Sequence, residues 1–101
     1  MTREDVLAIL KAHEAELRHQ GVAHAGLFGS LARGDSGPDS DIDVMIRFDP
    51  EAPITLWTYV RLKREIAALF AAAAKPVDVI DLDGMRSHAR PSAERDAIYA
   101  F

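Results

Sequence analysis

The chain has 101 residues, no cysteine, 49% hydrophobic and 28% charged residues and a formal net charge of −4. These values describe one small globular domain, residues 1–101, able to bury a modest core, and they exclude a disulfide framework or a thiolate metal site. The acidic balance argues against sequence-independent nucleic-acid binding, and no apolar run reaches the length of a membrane span or forms a signal segment after Met1, so a cytoplasmic protein is expected.

Thr2 with Asp5 reads as a capping box that opens a helix to about His19, with Val6, Ile9, Leu10, His13 and Leu17 along one side and Gly21 behind it. Val22 to Phe28 reads as a short strand. Ser30 is expected to cap a helical turn through Arg33, and residues 34–39 (GDSGPD) are turn chemistry throughout. From Ser40 to Phe48, Ile42, Val44, Ile46 and Phe48 alternate with Asp41, Asp43, Met45 and Arg47, which is strand patterning. Thr55 is expected to cap a long helix to about Ala74. Its apolar stripe reads Leu56, Tyr59, Val60, Ile66, Leu69, Phe70 and Ala73, with Arg61, Arg64 and Glu65 outward. Val77 to Leu82 forms a third strand, and a last helix is expected from Pro91 or Ser92 to Tyr99.

This order, α-β-β-α-β-α, predicts an α/β (α+β) domain with a small mixed three-stranded sheet flanked by helices. The short loop between the first two strands makes them antiparallel neighbours. The long helix before the third strand suits a parallel crossover, which places the aspartate strand in the middle, beside Asp78.

The chemistry concentrates at Gly29-Ser30 and, ten residues on, at Asp41-Ile42-Asp43. Residues two apart on a strand share a face, so Asp41 and Asp43 project side by side. At a separation of about 4 Å and an effective dielectric near 20, two carboxylates repel by roughly 4 kcal/mol. Protonation, water or a bound cation relieves that repulsion. The backbone amides of a Gly-Ser turn suit phosphate. Carboxylates for Mg²⁺ beside amides for phosphate point to a metal–nucleotide site. Asp78, between Val77 and Val79, is expensive to bury unpaired and joins the candidates, whereas Asp81 and Asp83 read as strand-end residues outside the site.

The string Phe28-Gly29-Ser30-Leu31-Ala32-Arg33-Gly34, followed by Ser40-Asp41-Ile42-Asp43-Val44 and a later acidic strand residue, resembles the DNA polymerase β-like nucleotidyltransferase superfamily. It is most similar to the superfamily's smallest members, the minimal nucleotidyltransferases (MNT) encoded beside HEPN-domain ribonuclease toxins as their antitoxins. The resemblance spans nearly the whole chain. It implies that Asp41 and Asp43 bind two Mg²⁺ ions, and that Asp78 completes the metal site or helps activate the attacking hydroxyl. It also implies that Gly29 and Ser30 hold the triphosphate of ATP, with Arg33 a further nucleotide contact, and that AMP passes to a tyrosine of a HEPN toxin. Leu31 departs from the polar or basic residue many relatives carry. No helical substrate-binding domain follows the core, so a protein partner is expected to supply the missing wall.

Each of these residues also has a plainer reading. Gly29-Ser30 is a common turn, and Arg33 could pair with Asp35 or Asp39 on the surface. His13, His19, His24 and His88 share no metal-ligand spacing. Trp57 reads as a packing residue, with base stacking the alternative. Arg86, Arg90 and Arg95 read as solvated or facing an acidic partner, and Tyr99 and Phe101 as capping the core or docking on another chain. Two further functions stand beside the enzymatic one. One is a non-catalytic antitoxin that acts by covering its toxin, and the other is transfer to a small hydroxyl compound of the aminoglycoside kind. A homo-oligomer is compatible with the sequence, which does not define one.

Overall fold

The computed structural model describes residues 2–34, 41–73, 75–82 and 95–101. In chain order the elements are α1 (Arg3–Ala12), α2 (Glu14–His19), β1 (Val22–Leu27), α3 (Gly29–Arg33), β2 (Ile42–Phe48), α4 (Leu56–Leu69), a 3₁₀ turn (Ala71–Ala73), β3 (Val77–Asp81) and β4 (Ile98–Tyr99). Among the described residues they build one four-stranded sheet in the order β3-β2-β1-β4. β1 runs antiparallel to β2 and β2 parallel to β3, as the loop lengths require. The α/β class with a mixed sheet is therefore as the sequence indicates, with one strand more than expected.

The sheet has two unlike faces. Ala25, Leu27, Ile42, Val44, Ile46 and Val79 point to one side and pack against Val6, Leu10 and Leu17 of the N-terminal helices and Leu62, Ile66 and Phe70 of α4. All of these are buried and none is polar. The other face carries the odd-numbered residues of β2 and the even-numbered residues of β3. It has no long helix among the described residues and holds only a small apolar group, Met45 and Leu82 with Phe28, Ile80 and Ala97 against them. The helix-covered face supplies stability, and the described residues leave room for chemistry on the opposite face.

Four local differences from the sequence reading have physical causes. The N-terminal helix starts on the expected Thr2–Asp5 capping box but breaks at His13. There the imidazole Nδ1–H donates to the Ile9 carbonyl at 2.8 Å, the acceptor that the His13 backbone N–H would otherwise take; that N–H turns to Leu10 at 3.1 Å instead. A side chain inserted into the helical ladder in this way interrupts it. Ser30 is not the cap of α3: Phe28 holds the N-cap position, and no side chain caps the helix.

Thr55 does cap α4, its hydroxyl accepting from the Thr58 N–H, but the helix ends at Leu69 with Phe70 as C-cap. Its buried stripe is Leu62, Ile66 and Phe70, while Leu56 is 77% and Val60 37% exposed. The first two turns of α4 are apolar on several sides, so the pattern there does not define which side faces the sheet. Finally, the segment expected to end as a helix at Tyr99 enters the sheet as β4. Gly26 makes room for it, because a Cβ there would collide with the Ile98 carbonyl. Gly26 pairs with Tyr99, and the Ala100 N–H donates to the Ala25 carbonyl at 2.8 Å. β4 thereby covers an edge of β1 whose hydrogen-bonding groups would otherwise stand open. The start of the expected last helix, the turn at residues 35–39, the helix end at Ala74, and Asp83, Arg86, His88 and Arg90 lie outside the described residues.

Candidate active site

β2 and β3 bring the acidic residues together through register. Asp43 on β2 is the direct parallel partner of Asp78 on β3. Paired residues of adjacent strands point to the same face, here the face opposite the helices. Asp41, immediately before β2, precedes Asp43 by one side-chain repeat and is exposed, as is Asp78; Asp43 is half-buried. Asp81 falls on the helix-covered side instead. Its backbone N–H donates to the Tyr59 hydroxyl at 3.0 Å, which agrees with leaving it outside the site. Tyr59 in turn is held above the usual phenol range, first by burial and then by the Asp81 and Asp78 carboxylates, against a lowering hydrogen bond from Asp81.

The glycine turn joins this group through the backbone. The Phe28 N–H donates to the Asp43 carbonyl at 3.1 Å, so the residue before the turn is fastened to the strand that carries the carboxylate. Gly29 then adopts φ +73, a left-handed conformation, and a Cβ built there would lie 2.5 Å from Asp43 Oδ2. Glycine is thus required twice, for its backbone angle and for the space the carboxylate occupies. α3 begins at this point, and Gly34 closes it in the left-handed conformation. Arg33 stands at its last position. Its Nη1 donates to Asp96 Oδ2 at 3.1 Å, tying α3 to the C-terminal segment.

Electrostatics single out Asp43. Its pKa is raised, first by burial, then by the Asp78 and Asp41 carboxylates, with Arg33 pulling it down. One half-buried carboxylate therefore feels two others and one guanidinium. Pattern reading placed Met45 on the polar face with Asp41 and Asp43. It is in fact fully buried with Leu82, and this apolar floor beyond the aspartates was the feature the sequence reading missed. The available signal was a methionine on a face otherwise read as polar.

A raised carboxylate pKa means that the folded state binds the Asp43 proton more tightly than the unfolded chain does. The associated stability is present below the unfolded value of 3.8 and is lost as pH rises through the folded value. Asp43→Asn removes this loss. It is expected to stabilise the cation-free protein at pH 7, read as a higher Tm than the wild type. The gain should vanish near pH 3, where both forms are uncharged at this position, and thermal unfolding followed by circular dichroism across that range measures it.

Among the described residues, no three His, Asp or Glu groups are gathered into a ready-made metal cage. The donor set nevertheless suits Mg²⁺. Mg²⁺ takes hard oxygen ligands and is usually held by one or two carboxylates together with substrate phosphates, not by an all-protein cage. The exposed Asp41 and Asp78 carboxylates on either side of the half-buried Asp43, beside a glycine turn, match that description.

Comparison with known proteins places this geometry. The model of the nucleotidyltransferase domain family matches residues 9–100. The chain belongs to that family. This nucleotidyltransferase is 33% identical over 100 residues to the protein adenylyltransferase MntA of Thermococcus cleftensis, covering 98% of this chain and 96% of the relative. It superposes with a TM-score of 0.72 on a solved structure provisionally named a minimal nucleotidyltransferase, at 31% identity, covering 97% of this chain and 95% of that one. It also shares its fold with a chain in the complex of a tri-AMPylated Shewanella oneidensis HEPN toxin with an MNT antitoxin. There the TM-score is 0.57 and the identity 17%, covering 94% of this chain and 71% of that chain. The nucleotidyltransferase is of the minimal, MNT type, and the mixed sheet with its flanking helices is the minimal nucleotidyltransferase fold. No described helix is long and apolar enough to cross a membrane.

Proposed function

We propose that this nucleotidyltransferase is an antitoxin that transfers AMP from ATP to a tyrosine hydroxyl of a cognate HEPN ribonuclease and thereby silences it. The observation that carries the reading is the pairing of Asp43 with Asp78 on the open sheet face, with the Gly29 backbone against the Asp43 carboxylate. The relative named a protein adenylyltransferase, matched over nearly the full length of both chains, supports the choice of a protein acceptor. The HEPN–MNT complex of the same fold supports the choice of partner.

In this proposal Asp41 and Asp43 hold Mg²⁺. When bound, the ions neutralise phosphate charge and stabilise the entering and leaving oxygens of an in-line displacement. The Gly29–Ser30 turn orients the triphosphate with its backbone amides and the Ser30 hydroxyl. Arg33 adds a charge on the nucleotide side and shares it with Asp96, which lies across the turn. Asp78, exposed on β3, either completes the cation site or takes the proton of the incoming hydroxyl. The tyrosine oxygen forms a bond to the α-phosphorus, the bond from that phosphorus to the α–β bridging oxygen breaks, and pyrophosphate leaves. Among the described residues no long helix covers this sheet face, and a protein surface brings the tyrosine in from that side.

Incubation with α-labelled ATP, Mg²⁺ and the HEPN protein encoded beside this chain tests the reading. Label is expected on a toxin tyrosine, together with loss of RNase activity. Protection of RNA without label, through complex formation alone, would establish a purely covering antitoxin. Label on an aminoglycoside but not on protein would establish a small-molecule enzyme.

A further inference from the structure

Asp96 takes no part in the proposed reaction, yet it holds a residue that does. Its backbone is laid down on the sheet. Ala97, the next residue, packs on the apolar floor with Met45 and Leu82, and β4 begins at Ile98, opposite Leu27. The Asp96 side chain is 22% exposed, and that of its partner Arg33 is 46% exposed. Arg33 is the looser member of the pair. Its backbone is set, because Leu31 and Ala32 are buried and Arg3 Nη1 donates to the Ala32 carbonyl at 2.9 Å. Its long side chain is not set by packing, and holding such a side chain in one rotamer costs conformational entropy. A firmly seated carboxylate thus faces a mobile guanidinium at the end of the glycine turn.

Two groups of acids compete for that guanidinium. Arg33 Nη1 donates to Asp96 Oδ2 at 3.1 Å. The Arg33 charge also reaches Asp43, which feels Asp78 and Asp41 as well. Opposite charges a few ångströms apart attract strongly at the dielectric of a protein surface. A guanidinium released from Asp96 is therefore drawn toward the three carboxylates. There it would neutralise the groups proposed to hold Mg²⁺ and leave the nucleotide side of the turn. The ion pair with Asp96 opposes that movement.

We propose that Asp96 is a positioning residue for nucleotide binding, which holds the Arg33 guanidinium beside the Gly29 turn and away from Asp41, Asp43 and Asp78. The proposal rests on the reading of this site as a nucleotide site that Arg33 contacts. A guanidinium already held in place spends less of its interaction with phosphate on its own ordering, which is how preorganisation raises affinity. Asp96 acts through Arg33 alone, so its effect disappears when Arg33 is removed.

Calorimetric binding of an ATP analogue with a non-cleavable α–β bridge to the full chain, with Mg²⁺ present, tests the proposal. Asp96→Ala is expected to weaken binding about threefold or more, the low end of the coupling found within one ion-pair network. Asp96→Glu, which keeps the charge, should bind more tightly than Asp96→Asn, which loses it. In an Arg33→Ala background, Asp96→Ala should weaken binding no further. Unchanged or tighter binding by Asp96→Ala overturns the proposal, and so does an equal loss in the Arg33→Ala background. Should Asp96→Ala fail to unfold cooperatively, the other pair decides, and equal binding by Asp96→Glu and Asp96→Asn overturns it. A wild type that binds the analogue but labels no protein removes the proposed acceptor and leaves the role of Asp96 standing. A wild type that does not bind the analogue overturns both.

Discussion

Asp43→Asn is expected to lower the rate of nucleotidyl transfer about 10³-fold or more, equivalent to about 4 kcal/mol of transition-state stabilisation. The same substitution should leave the protein as stable as the wild type or more so. That opposition follows from the geometry. Asp43 is the half-buried member of the acidic group, its proton affinity raised by burial and by Asp78 and Asp41. A carboxylate so placed costs the resting fold something and is useful only when a cation or a phosphate-bound metal arrives. Asp78→Asn should cost less, about 10²-fold, because Asp78 is exposed and contributes one further oxygen or proton acceptor. Steady-state label transfer as a function of Mg²⁺ and pH separates those two roles. Loss of a cation ligand raises the Mg²⁺ requirement, whereas loss of a proton acceptor flattens the acidic limb of the pH profile.

Gly29→Ala is the second large effect. The backbone there is left-handed at φ +73, and a methyl group would come within 2.5 Å of Asp43 Oδ2. The conformation alone costs a non-glycine residue about 1–2 kcal/mol. The contact is with the far end of a side chain, so it can be relieved, but only by swinging the Asp43 carboxylate out of the position the turn defines. The expected outcome is a modest drop in Tm with a loss of transfer out of proportion to it, about 10²-fold or more, since displacement of a catalytic group by an ångström carries a penalty of that size. Activity measured well below the unfolding transition, alongside thermal melts, distinguishes this from simple unfolding. Gly34→Ala is the control. It too is left-handed, at φ +83, but among the described residues a Cβ there meets nothing closer than Arg3 at 3.8 Å, so it should lose stability with little loss of activity.

These two residues also show what the sequence could and could not convey. The placement of Asp43 beside Asp78 was legible, because alternation fixes the strand, and a short loop followed by a long helix fixes the order of strands. The requirement for glycine at 29 was legible as a turn, but its contact with the Asp43 carboxylate is a tertiary fact that no local pattern carries. The N-terminal helix was readable to its ends and not at its break, since a histidine ring that takes over the Ile9 carbonyl leaves no trace in hydrophobic periodicity. On α4 the reading failed where Leu56, Trp57 and Val60 are all apolar. Periodicity finds a buried side only when the other side is polar, and those residues look outward. β4 was missed because a two-residue strand is too short to show alternation. The remaining clue was Gly26 in the middle of β1, which marks the close approach of another backbone.

The partner of Arg33 was unreadable for a similar reason. Asp35 and Asp39, the candidates nearest in sequence, lie outside the described residues, and the described ion pair reaches Asp96, which folding alone brings alongside. That contact links the turn, the C-terminal segment and, through charge, Asp43. It makes Arg33 a residue whose loss should be felt in nucleotide affinity before it is felt in stability.

All of this depends on acidic side chains of two neighbouring strands acting together on a metal-bound nucleotide. The most direct measurement is label transfer to the HEPN protein by the double variant Asp41→Asn/Asp43→Asn, with complex formation and cooperative unfolding verified in the same sample. The expected result is an intact complex with an unlabelled toxin. A toxin still labelled at the wild-type rate would show that the reaction is carried elsewhere.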